Sequence, residues 1–310
     1  MIFTLTLNPA IDKTVEIPDF RPGAVNRITS VRRDVGGNGI NVSKCLKQLD
    51  CDSTAEAFLG GGTGAWAAEQ LQQAGIPVLA VEIPEETRTN LKVIDPVRSE
   101  NTDINEPGPV ITAEQLAALL HRLDAEIKAG DLLILSGSIP GGVSPGIYGE
   151  LTARFKARGV TVYLAADGDS FRQGIAAAPA LVKPNLEELR RLTGRELKNR
   201  AGILEAASEL LKLGIPETVI SLGGDGALFL EQEHCCRAMG LRVPVRSTVG
   251  AGDSMVAALA CGSVKGLSRE QRIRLAIAIS AASVMCSGTQ PPERDVIEKL
   301  YHQVTIEEVY

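Results

Sequence analysis

Short apolar runs alternate along this chain with longer stretches in which apolar positions return every three or four residues. The runs at 2–7, 78–83, 132–135, 160–164, 181–182 and 218–222 are apolar almost throughout. That character suits strands covered on both faces of a parallel sheet. Helical spacing predicts helices over 40–49, 64–74, 145–157, 204–213, 254–264 and 269–285. A further helix opens on Thr112-Ala113-Glu114-Gln115, a capping box, and carries Leu116, Leu119, Leu120, Leu123 and Ile127 before Gly130. Strands alternating with helices predict a three-layer α/β/α fold around a doubly wound, mostly parallel sheet.

Two stretches break that rhythm. Residues 13–33 carry Val15/Ile17 and Val25/Ile28/Val31, and residues 87–96 carry Leu91/Val93, in half-exposed strand patterns. Each falls where a strand–helix–strand unit should close. They predict a small β-sheet lid inserted at about 12–34 and 87–97 of a single domain spanning 1–310.

Composition narrows the function. A net charge of −6, 4% aromatic residues and no basic cluster argue against nucleic acid as a partner. No run of about 18 apolar residues occurs, so no membrane span is expected. The opening Met1–Pro9 segment lacks a basic region and a cleavage site, and a cytoplasmic protein is expected. Six cysteines without a C-x-x-C pair and three scattered histidines offer no zinc spacing. Glycine is the outlier, with 31 residues gathered into groups.

Three of those groups could carry chemistry. Thr248-Val249-Gly250-Ala251-Gly252-Asp253-Ser254 precedes a helix, where free backbone N–H groups and the positive dipole end form an anion cradle. Asp253 there is either a helix cap or a base that deprotonates an attacking hydroxyl. Gly36-Gly37-Asn38-Gly39-Ile40-Asn41 also opens a helix, and Asn38 and Asn41 could hydrogen-bond hydroxyl groups or belong to a plain loop. Ser221-Leu222-Gly223-Gly224-Asp225-Gly226 is either a hairpin turn or a wrap around nucleotide phosphates. Neither G-x-G-x-x-G after the first strand nor G-x-x-x-x-G-K-[ST] occurs, which argues against a dinucleotide oxidoreductase or a P-loop enzyme.

In their order along the chain, Asn8-Pro9-Ala10-Ile11-Asp12, Gly36–Asn41, Lys183-Pro184-Asn185, Ser221–Gly226 and Gly250–Ser254 resemble the ribokinase-like (PfkB) sugar kinases. The opening, the second glycine group and Thr248–Ser254 resemble the phosphosugar branch of 1-phosphofructokinases and tagatose-6-phosphate kinases. The resemblance implies a ribokinase-like fold and ATP-dependent phosphorylation of a phosphosugar. It implies Asp253 as the base, with Gly250, Ala251 and Gly252 as the anion hole. Asp12, Gly37, Asn38 and Asn41 match sugar-binding positions, and Arg88 suits the substrate phosphate, with Arg27 and Lys92 as helpers. Lys183, Asn185, Ser221, Gly223, Gly224, Asp225 and Gly226 match the ATP site, and Asn185 and Glu188 match an element associated with Mg²⁺. A lid-mediated homodimer is also implied.

Two positions depart from the branch. Asn38 stands where many relatives carry lysine, and Ala165 stands where they tend to carry aspartate, with Asp167 close by. Thr102–Pro109 resembles a stretch of 1-phosphofructokinases and favours fructose 1-phosphate as acceptor, over tagatose 6-phosphate or fructose 6-phosphate. A sugar-phosphate sensor on the same scaffold is the non-enzymatic alternative.

Overall fold

The apolar runs become strands of one ten-stranded sheet in the computed structural model, which describes residues 1–309. In spatial order these are Ile306–Glu308, Cys235–Ala238, Ala227–Leu230, Glu217–Ser221, Leu181–Val182, Thr161–Ala165, Leu132–Ser136, Ile2–Thr6, Ser53–Gly60 and Val78–Ile83. From Glu217–Ser221 to Val78–Ile83 neighbouring strands pair in parallel, and the three at the opposite edge pair antiparallel. Ile2 lies level with Ser53 on one side and Leu132 on the other. The chain first winds outward to Val78–Ile83, then returns to the other flank of the first strand. Such a reversal opens a crevice at the carboxyl ends of the two strands it separates, here Ile2–Thr6 and Leu132–Ser136.

Helices cover both faces. On one, Leu119, Leu123, Tyr148, Leu151, Phe155, Ala206 and Leu210 pack on Leu5, Leu133, Leu135 and Val162. On the other, Val42, Leu46, Val256, Leu259, Ile273 and Ile277 pack on Ile2, Ile134, Val219 and Phe229. Burial of each such large side chain contributes roughly 1.5–3 kcal/mol. The capping box at Thr112 forms as expected: its hydroxyl accepts from the Gln115 amide at 3.2 Å, and Gln115 accepts from the Thr112 amide at 2.7 Å.

The lid is a separate sheet of four strands, in the order Ser30–Gly36, Ala10–Glu16, Thr89–Asp95 and Glu100–Asn105. The first three fall within or beside the expected insertions. The fourth reads Glu-Asn-Thr-Asp-Ile-Asn and is exposed throughout, so no apolar alternation announces it. Register places Asp34, Asp12, Asn90 and Asn105 in one row across the sheet. Side chains alternate between faces of a strand, so this row and the next but one, with Lys92, share the face turned to the crevice. Among the described residues, no helix is long and apolar enough to cross a membrane.

Candidate active site

The helix Ala251–Val264 begins at the crevice. Its cap, Gly250, has φ +83°, a left-handed conformation that glycine adopts without strain. The Ser254 amide bonds back to Gly250 O at 2.9 Å, so the first-turn amides ahead of it have no helical carbonyl behind them. Asp253 lies in that first turn and is buried. Asn41, in the first turn of Asn38–Gln48, donates to Asp253 Oδ2 at 3.0 Å. Burial pushes the Asp253 carboxyl up to about 6; the Asn41 hydrogen bond, the Lys183 charge and Asn38 oppose it, and Asp12 adds to it.

Asp253 faces a cleft of about 520 Å³ between core and lid. Asp12, Gly37, Asn38, Asn41 and Arg88 all line it, as does Asp167. Gly37 needs its glycine: its φ is +112°, and a Cβ there would approach the Thr6 methyl to 2.7 Å. Asp12 accepts from Asn90 Nδ2 at 3.2 Å. The amide oxygens of Asn41 and Asn90 are buried and have no hydrogen-bond partner among the described residues, which equips both to accept from hydroxyl groups.

Arg88 is more than a free cation. Its guanidinium donates to Glu106 O at 2.9 Å, Asn8 O at 3.0 Å and Pro9 O at 3.4 Å. It thereby ties residues 8–9 and 106 together beside the lid while still lining the cleft. Lys92 pairs with Asp103 at 3.5 Å and lines the cleft from the same lid face. Arg27 is not among the lining residues.

A second cleft of about 330 Å³ adjoins the first and shares Lys183, Asn185 and Gly252 with it. Ser221, Gly223, Gly224 and Gly226 line it, as does Ala251. The segment 221–226 is therefore both a turn, joining antiparallel strands, and a wall of the cleft. Asp225 departs from the expectation: it is exposed and lines neither cleft, because the turn carries its side chain outward. Burial pulls the Lys183 ammonium below its ordinary value, against the Glu188 and Asp253 charges.

Asn185 and Glu188 form a reciprocal capping box, each accepting from the other's backbone amide at 2.8 Å. Both line the first cleft. One capped carboxylate suits a hydrated Mg²⁺ that arrives on nucleotide phosphates, since that ion keeps several waters and takes one or two protein carboxylates. Among the described residues no cluster of three His, Cys, Asp or Glu side chains could cage a metal.

Residues 1–295 match the family described as pfkB family carbohydrate kinase. The chain belongs to that family. Its relatives include a 1-phosphofructokinase of Xanthomonas campestris, 39% identical over 89% of this chain and 89% of its own length. Another, from Rhodobacter capsulatus, is 34% identical over 98% of this chain and 97% of its own. Among solved structures, phosphofructokinase-2 of Escherichia coli in complex with substrates and products superposes with a TM-score of 0.93. It is 32% identical, with 97% of this chain and 98% of that chain covered.

Other residues line the two clefts without standing among the site candidates read from the sequence. Asn90, Asn105, Gly137 and Ser138 line the polar cleft; Leu241, Val243, Ile277, Ala281 and Val284 line the second. Gly137 and Ser138 had a signal, since they follow directly on a strand at the point where the sheet reverses. The apolar set had none, because aliphatic residues on a helix look the same whether they meet a ligand or the core.

Proposed function

We propose that this ATP-dependent carbohydrate kinase acts as one kinase unit that phosphorylates a phosphosugar, with fructose 1-phosphate as the preferred acceptor and fructose 1,6-bisphosphate as product. The observation that carries the reading is the place of Asp253, at a helix N-terminus, hydrogen-bonded to Asn41, beside the junction of the two clefts. A carboxyl titrating at about 6 is about nine-tenths ionised at pH 7, yet basic enough to take a hydroxyl proton. The polar cleft holds the sugar, with Asp12, Asn41 and Asn90 on its hydroxyl groups. The second cleft holds ATP, its base against Val243, Ile277 and Ala281. As Asp253 takes the proton, the hydroxyl oxygen attacks the γ-phosphorus, the bond from that phosphorus to the β,γ-bridging oxygen breaks, and ADP leaves. The first-turn amides and Lys183 neutralise charge on the transferring group, which is most of what phosphoryl transfer asks of a protein. Bound with ATP near Glu188 and Asn185, Mg²⁺ supplies further neutralisation of phosphate charge.

The relatives named 1-phosphofructokinase support fructose 1-phosphate over fructose 6-phosphate, and the likeness to phosphofructokinase-2 keeps fructose 6-phosphate as the second reading. Arg88 and Lys92 are the phosphate anchors of this reading. An ADP-release assay over fructose 1-phosphate, fructose 6-phosphate and tagatose 6-phosphate tests it, with fructose 1-phosphate expected to give the highest kcat/KM. ATP turnover indifferent to added phosphosugar would overturn it. Arg88→Ala is expected to raise the KM for phosphosugar about tenfold and leave that for ATP nearly unchanged, in line with the loss of a charge-assisted contact. Val25, Ile28, Val31 and Ile104 leave apolar surface exposed on and around the lid, which supports a homodimer through that sheet. Light scattering on the purified protein checks it.

A further inference from the structure

A fourth glycine group, Gly60-Gly61-Gly62-Thr63-Gly64, lines neither cleft, and none of the chemistry above uses it. It closes the strand Ser53–Gly60 and opens the helix Gly61–Gln73. The cap of that helix is Gly60, which has no side chain to satisfy the first amides. The carboxylate of Glu86 takes that place from a later loop. Its Oε1 accepts from the Gly62 amide at 3.0 Å, and its Oε2 accepts from the Thr63 amide at 2.9 Å. The Thr63 hydroxyl donates to Oε2 at 2.5 Å, with the Thr87 carbonyl at 2.8 Å as its other acceptor. A carboxylate is favourably placed at the positive end of a helix. The Thr63 hydroxyl and the two amides hold the Glu86 carboxyl below its ordinary value.

The next residue is docked on the same turn. The Thr87 amide donates to Gly60 O at 2.9 Å, and Thr87 Oγ1 accepts from the Gly60 amide at 3.0 Å. Thr87 is buried, whereas Glu86 is exposed. The approach is close enough to require glycine in the turn. A Cβ on Gly60 would collide with the Glu85 carbonyl, and one on Gly61 with the Glu86 carboxyl. Arg88 follows directly on this docked pair. On its other side the Thr89 amide donates to Glu106 Oε2 at 2.8 Å, and Arg88 O itself accepts from the Ile11 amide at 2.8 Å. The backbone of Arg88 is thus held at both neighbours before its side chain reaches the cleft.

We propose that Glu86 is a positioning residue for Arg88. By binding the start of the helix Gly61–Gln73 it docks residues 85–87 on the core, and so sets where the Arg88 guanidinium meets the phosphate of the phosphosugar. The inference rests on the reading of Arg88 as a phosphate anchor. An arginine on a loose segment must lose backbone and side-chain freedom when it binds an anion, whereas one on a docked segment has lost most of the backbone part already. Glu86 lines neither cleft, so it touches neither ligand and acts through its neighbour. In the same reading ATP occupies the second cleft, which Arg88 does not line either. The effect of Glu86 therefore falls on one substrate and spares the other.

The test is steady-state kinetics on Glu86→Ala, Arg88→Ala and the double variant, with Tm recorded for each. Glu86→Ala is expected to raise the KM for fructose 1-phosphate about fivefold, the scale of one lost helix cap, and to leave kcat and the KM for ATP within about twofold. Glu86→Gln keeps one accepting oxygen and should fall between the unaltered protein and Glu86→Ala. In the Arg88→Ala background, Glu86→Ala should change the phosphosugar KM less than about twofold, because the group it positions is gone. A merely structural cap would lower Tm and move neither KM, or move both alike. Either result overturns the proposal, as does full additivity of the two substitutions. An unchanged phosphosugar KM in Arg88→Ala alone would remove the anchor reading, and this proposal with it.

Discussion

Burial raises the carboxyl of Asp253 to about 6 and that of Glu56 to about 8, yet the two sit in opposite surroundings. Asp253 lies at the positive end of a helix, accepts from Asn41 and faces a cleft. Glu56 lies in the middle of the strand Ser53–Gly60, and neither of its oxygens has a hydrogen-bond partner among the described residues. Arg122, whose charge opposes that rise, donates to the carbonyl of Ala80 instead. A raised carboxyl therefore does not by itself mark a site. What separates the two is a set of donors that keeps the charged form usable, together with an opening through which a substrate reaches it.

The widest gap between them should come from one edit made twice, amide for carboxylate. Asp253→Asn removes the proposed base and is expected to fold normally and to lose about 10³-fold or more in kcat. Glu56→Gln should leave kcat within about twofold, as a change far from the chemistry would. Steady-state kinetics on both variants, with circular dichroism to check folding, decides it. Near-wild-type turnover in Asp253→Asn would collapse the distinction.

A smaller effect should follow from making Asp253 more like Glu56. Asn41→Leu deletes the donor at 3.0 Å while keeping similar volume. The Asp253 carboxyl should then rise by about a unit and turnover at pH 7 should fall about tenfold, part of it through lost sugar contacts. In the unaltered enzyme, kcat/KM should drop about tenfold per pH unit below about 6, since the protonated carboxyl cannot accept the hydroxyl proton. The acid limb of the pH profile reads both. A limb that stays put in Asn41→Leu would show that burial alone sets the base.

The same contrast explains what was legible in the sequence. Asp253, Asn41, Asp12 and Arg88 stand in motifs whose spacing places them at helix starts and lid strands, and the fold brings all four to one cleft. The strand around Glu56 has no such signal, because Ser-Thr-Ala-Glu-Ala interrupts the apolar run that marks a buried strand. The fourth lid strand has none either, because it is polar apart from Ile104, exposed throughout and held by backbone pairing with Thr89–Asp95. The second cleft was half visible: its glycine turn has a signature, whereas Ile277 and Ala281 read as ordinary core. Asn185 and Glu188 stand in a motif that speaks for chemistry, and their capping box also gives them a structural task, which the resemblance alone does not reveal.

The smallest expected effect concerns stability, where Glu56 acts and Asp253 is secondary. In the unfolded chain a glutamate titrates near about 4.3, whereas in the folded protein Glu56 titrates at about 8. Between those values the folded state holds a proton that the unfolded state has released. The contribution of Glu56 to stability is therefore fully present below about pH 4.3, falls as pH rises, and is lost by about pH 8, where the folded group also ionises. The amide in Glu56→Gln carries no charge at any pH. The gap between that variant and the unaltered protein should therefore widen from a small value at about pH 5 to roughly 1–3 kcal/mol at about pH 9 in favour of the variant, an amount typical of one buried charge relieved of desolvation. Urea unfolding at the two pH values measures it. A gap that stays constant would mean that Arg122 turns to pair with Glu56, and the carboxyl would then belong with Asp253 among those whose charged form the fold supports.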